Sequence, residues 1–159
     1  MAYRASALRS FGGFDPALGT GTAACGGEDL AMFFKVITHG YQLVYQPGAF
    51  IRHYHRRTYD AFQKQAFFYG VGLTAYLTKI LLDRPSLLVD IAVRVPAGVW
   101  HLLNHDSPKN RLKLPSYPAE INRLERKGML YGPIAYWRSR RQANAYKGQH
   151  TFSQNPTAA

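Results

Sequence analysis

The stretch Gly26-Gly27-Glu28-Asp29-Leu30-Ala31-Met32-Phe33-Phe34 governs how the chain is read. Two acids follow two glycines and open a run dense in large apolar side chains. That spacing predicts a buried helix with both carboxylates in its first turn. Gly26 and Gly27 allow positive φ, or a close backbone approach to a ligand, just before the helix begins. The helix dipole favours carboxylates at that end, so the acid pair serves either as a helix start or as chemistry held there.

Downstream, the helix should stop at His39-Gly40, a cation followed by the residue that most easily turns left-handed. Tyr41–Tyr45 then reads as a short strand, Pro47-Gly48 as a turn and Ala49–His53 as a second strand. Upstream, Tyr3–Ser10 reads as a strand end running into a short helix or turn. Phe11-Gly12-Gly13-Phe14-Asp15-Pro16 reads as a turn-bearing loop, and Leu18–Gly27 as a flexible loop of small residues. This order predicts an α/β fold class, part of a sheet with too few strands to stand alone.

Beyond Thr58, a predicted N-cap, a helical pattern runs to Leu82, interrupted by Gly70 and Gly72, and Pro85 starts another helix. In the latter, Ser86, Asp90, Arg94, Gly98 and His101 share a narrow stripe, and apolar residues cover the rest. So wide an apolar face must be buried in protein or in a membrane interface. The chain thus divides into 1–57, a sheet-bearing part; 58–104, helices packed on the sheet or on a membrane interface; and 105–159, a basic aromatic extension with a disordered tail from Thr151.

Composition bounds the function classes. The 159 residues are 47% hydrophobic, with 11 Tyr and 9 Phe, enough for a packed core. One cysteine, Cys25, excludes an intrachain disulfide and a cysteine-only zinc site. The net charge of +11 is concentrated after residue 60, where it is +9. Segment 108–150 has ten Lys/Arg against two Asp/Glu, interleaved with tyrosines and Trp137. Such a surface suits nucleic acid, an anionic membrane or phosphate-bearing substrates. The sequence carries no nucleic-acid-binding module, which argues against the first, although a basic adaptor working through 108–150 is the alternative function. The start, Met1-Ala2-Tyr3-Arg4, lacks the apolar core of a signal peptide. No window of 18 uncharged apolar residues exists, which argues against a spanning helix and leaves one lying on a membrane open.

The candidate chemistry joins the acid pair to His53-Tyr54-His55-Arg56-Arg57. An aspartate within reach of a substrate hydroxyl is a general base. On a strand, His53 and His55 would share one face, and a neutral imidazole binds a divalent metal. Arg56 and Arg57 suit bidentate contacts to phosphate oxygens. The plainer alternative is one buried, hydrogen-bonded histidine and a solvated arginine pair.

Taken in order, Met1–Arg4, Phe11–Asp15, Gly26–Asp29, Gly40-Tyr41 through Tyr45-Gln46-Pro47, and His53–Arg57 resemble the C-terminal half of the catalytic domain of family-2 glycosyltransferases. These are inverting enzymes of the GT-A fold, and the resemblance covers roughly residues 1–75. It implies that Asp29 is the catalytic base acting on the acceptor hydroxyl, with Glu28 in support. It implies that Gly13, Phe14 and Asp15, with Gly26 and Gly27, shape the acceptor and sugar pocket. His53, in preference to His55, would complete the metal site or contact the diphosphate. The implied partners are a nucleotide-diphosphate sugar, a divalent metal (Mg²⁺ or Mn²⁺) held mostly by a nucleotide-binding half, and a carbohydrate or lipid-linked acceptor. The helices within 66–104 and the basic segment 108–150 give a cytoplasmic location, peripheral on the inner membrane face, unless those helices pack on the sheet or on the missing half. The chain lacks the Asp-x-Asp metal motif, so the resemblance implies a piece of a longer enzyme with little activity alone. Gln65–Tyr69 lacks the Arg-Trp of processive members, and no processive polymerisation is implied.

Overall fold

The computed structural model describes residues 1–54, 56–113 and 116–153, with side chains as far as Tyr146. Its elements are α1 (Ala5–Ser10), α2 (Glu28–Thr38), α3 (Tyr59–Asp83), a single 3₁₀ turn (Pro85–Leu87), α4 (Leu88–Leu103) and α5 (Ala119–Ser153).

The expected α/β sheet is not there. No strand occurs among the described residues, and the one bridge, Gly19 to Gly26, is isolated within a loop. Tyr41–Tyr45 and Ala49–His53 run without regular structure, with every residue exposed. Strand propensity expresses packing against neighbouring strands more than any intrinsic backbone preference. These described residues present no sheet edge for the two segments to join, so their alternating aromatic and β-branched side chains find no ladder. The expected strand end at Tyr3 is likewise absent.

What organises the chain is a parallel pair of long helices. At one end Tyr59 and Gln63 of α3 both hydrogen-bond the Glu120 carboxylate of α5. Further along, Gly70 lies against Glu125, and Thr74 reaches Met129. Still further, Ala75 and Tyr136 share one buried cluster. The helices touch through glycines. A β-carbon added to Gly70 would stand 1.9 Å from the Glu125 carbonyl oxygen, and one on Gly128 would stand 2.1 Å from that of Phe67. Gly128 and Gly132 are four apart on one face of α5, the small-residue spacing that brings helix backbones together. Gly70 and Gly72 therefore do not interrupt α3; they are its contact points.

Pro133 lies inside α5 and cannot donate to the carbonyl four residues back, that of Met129. Thr74 Oγ1 donates to that oxygen at 2.8 Å and lies 3.2 Å from the Gly70 carbonyl oxygen within its own helix. A defect in one helix is thus satisfied by its neighbour. Thr58 caps α3 as expected, accepting from the Ala61 N–H at 3.3 Å.

The remaining core lies at the other end of the pair. Ala17, Leu18, Ala24 and Ala31 pack with Ala75 and Tyr136. The small-residue segment expected to be a flexible loop is therefore a packed insert between α2 and the helix pair. Leu18 and Ala24 are buried there, while Thr20 and Gly21 remain exposed. α5 continues from Ala119 as one helix to Ser153. The tail expected to be disordered from Thr151 is therefore helical through Ser153, and its remainder from Gln154 lies outside the described residues.

Candidate active site

Helix α2 begins as the sequence predicts. Gly27 precedes it at φ 88°, Glu28 and Asp29 fill its first turn, and it closes at His39 with Gly40 at φ 77°. The two glycines approach protein, however. A β-carbon on Gly27 would sit 2.6 Å from the Gly72 carbonyl oxygen, and one on Gly72 would lie 3.1 Å from the Gly26 carbonyl carbon. Gly26-Gly27 is thus the seat of α2 on α3, a close approach of backbone to backbone.

The acids diverge from that seat. Glu28 folds back over the loop, its Cδ 3.6 Å from where a β-carbon on Gly19 would stand. Asp29 faces the N-terminal segment, and its charge acts on Tyr3, whose phenol is pushed up first by burial and then by Asp29. Both acids are half-buried, and neither joins an ion pair among the described residues. Four residues beyond Asp29, on the same helix face, Phe33 lines an open groove of about 890 Å³. Tyr3, Arg4, Val36, Tyr41 and Leu43 complete much of its wall. Neither acid lines that groove, nor do Gly13, Phe14, Asp15, Gly26 or Gly27; Asp29 stands one helical turn from its wall.

The Phe11–Asp15 loop is tied down from two directions. Lys35 Nζ donates to the carbonyls of Phe11 at 3.1 Å and Gly13 at 3.3 Å. Asp15 accepts from the Ala17 N–H at 2.8 Å and pairs with Lys79 Nζ at 3.3 Å. Lys79 is buried, yet its ammonium is held above its ordinary range. Burial alone would lower it, and the Asp83 and Asp15 carboxylates outweigh that penalty. Asp15 therefore has a structural partner, while Phe14 is exposed and meets Tyr3 edge-on with ring centroids 5.8 Å apart. Sequence reasoning missed both lysines, because their partners lie 22 and 64 residues away in the chain.

His53, Arg56 and Arg57 lie on the exposed segment leading into α3, and His55 falls outside the described residues. No group of three His, Cys, Asp or Glu able to hold a metal occurs among the described residues. His53 accordingly offers at most one ligand to a site completed from elsewhere. No protein-family profile, curated protein or solved structure matches this chain.

Proposed function

We propose that the chain supplies the acceptor side of an inverting sugar-transfer site, with Asp29 as general base. The observation that supports this is the position of Asp29. It stands in the first turn of a firmly seated helix, half-buried, outside any ion pair of the described residues, and one turn from Phe33 in the groove wall. A carboxylate so placed can take the proton of an acceptor hydroxyl entering along the groove. The hydroxyl oxygen then bonds the anomeric carbon from the face opposite the leaving group. The bond from that carbon to the phosphate oxygen breaks, and the nucleoside diphosphate departs with its electron pair.

Glu28, turned over the Gly19 loop, supports the helix start rather than the proton transfer. The donor, a nucleotide-diphosphate sugar, is bound by polypeptide outside these 159 residues, which contain no Asp-x-Asp. A divalent cation there would neutralise charge on the leaving diphosphate. Arg56 and Arg57 supply further positive charge towards those phosphates.

The test is release of nucleoside diphosphate from a panel of nucleotide-diphosphate sugars by the enzyme carrying both halves. Asp29→Asn should lower kcat by about 10² to 10⁴, the usual contribution of a positioned base, with the fold unchanged by circular dichroism. Glu28→Gln should cost far less. Full turnover by Asp29→Asn would remove Asp29 from the reaction.

A further inference from the structure

Helix α4 is the least explained part of the molecule. None of its residues is buried, although the stretch Pro85–Leu103 contains an 18-residue window with a mean hydropathy of 1.4. Leu88, Val89, Val99, Trp100 and Leu103 lie on one broad face and are 58%, 71%, 46%, 52% and 57% exposed. At 100° per residue, Asp90, Arg94, Gly98 and His101 cluster opposite that face, and Arg94 donates to the Asp90 carbonyl at 2.8 Å. An apolar face so wide needs a cover.

We propose that α4 lies in the plane of an anionic bilayer, its apolar face among the acyl chains and its polar stripe towards water. This inference does not depend on the sugar-transfer reading. The charge of the molecule selects the surface. Residues 61–159 carry a net +9, and exposed Arg84 and Arg111 flank the helix at its two ends. Each cation near an anionic surface adds to its attraction, and a short apolar helix needs that help to stay bound.

The tertiary structure selects lying over spanning. α4 leaves the C-terminal end of α3, where the Arg84 N–H bonds the Ile80 carbonyl. The chain then returns to the early turns of α5, where Lys109 pairs with Glu125 at 2.7 Å and Lys113 donates to Asn122 at 2.6 Å. The helix therefore runs back beside the α3/α5 pair. Standing upright in a bilayer, it would carry Lys79, Asp83, Arg126, Lys127 and Arg138 to hydrocarbon depth, which costs several kcal/mol for each unneutralised charge. Lying flat, it leaves the pair in water.

Flotation of the intact chain with phosphatidylcholine vesicles, with and without phosphatidylserine, decides the matter. Binding should need phosphatidylserine and fall as salt is raised. In a Trp137→Phe background, emission from Trp100 should shift to the blue on binding. Val89→Asp with Val99→Asp should weaken binding at least about tenfold, since each removes a buried valine from the acyl region. The melting temperature should stay put, because both positions are exposed in the folded chain. Equal binding to neutral vesicles, resistance to carbonate extraction, or unchanged binding by the double variant would overturn the proposal. So would an α4-dependent dimer that binds no vesicles.

Discussion

Helices α4 and α5 make an instructive pair. α4 is the more apolar, yet it buries nothing. α5 is crowded with Arg and Lys, yet it buries Ile121, Ala135 and Tyr136 and runs against α3 for much of its length. The difference lies in the glycines. Gly128 and Gly132 let α5 come within backbone contact of α3, whereas a β-carbon on Gly98 of α4 would meet nothing within 4 Å. Close backbone approach gathers many weak dispersion contacts at once, and it decides burial here more than hydropathy does.

The most forceful way to break this contrast is Gly128→Val. Its branched side chain would enter the space held by the Phe67 carbonyl and the Val71 N–H, so the backbones must part. A loss of about 3 kcal/mol or more is expected, read as a sharp fall in Tm or as failure to fold. The same substitution at Gly98 should barely move Tm.

Thr74→Val sharpens the comparison at one hydrogen bond. It keeps the shape of the side chain but leaves the Met129 carbonyl, already deprived by Pro133, without a donor. About 1–2 kcal/mol should be lost in urea denaturation with the slope of the transition unchanged. Stability recovered by the double variant with Pro133→Ala would confirm that the threonine answers the proline.

At the other end of the pair the effect is one of pH. The hydrogen bond to Glu120 pushes the Tyr59 phenol up to about 12, from the ordinary 10. Its native pKa lies above its unfolded one, so this contribution is fully present below pH 10 and is lost as pH rises through about 12. Absorbance titration at alkaline pH should show a late tyrosine step that Glu120→Gln moves down towards 10. The smallest effect belongs to the exposed 41–54 segment. Phe50, 90% exposed, should tolerate Ser with a change within about 0.5 kcal/mol. A larger loss would show that this segment has a hidden contact.

Much of the local order was legible in the residues. The start of α2 at Glu28, its stop at His39-Gly40, the Thr58 cap and the break at Pro85 all rest on signals within a few positions of one another. The reading failed where meaning depended on distant partners. Tyr41–Tyr45 and Ala49–His53 have strand composition, but a strand exists only where another strand accepts its hydrogen bonds. Leu18–Gly27 looked loose because its residues are small, yet Leu18 and Ala24 pack with Ala75 of α3 and Tyr136 of α5. Of the candidate site, the acid pair and the Phe11–Asp15 loop were visible as motifs. The divergence of Glu28 from Asp29, and the capture of Asp15 by Lys79, were not.

The sequence by itself determined where helices begin and end, and that two carboxylates open α2. These are properties of a backbone and its nearest neighbours, governed by caps, dihedrals and the helix dipole. Only the tertiary structure decided which glycines are contacts, which acid acts on Tyr3, and which apolar helix is left without a cover. Those outcomes depend on surfaces brought together from opposite ends of the chain, where steric fit at the scale of a single β-carbon selects one arrangement.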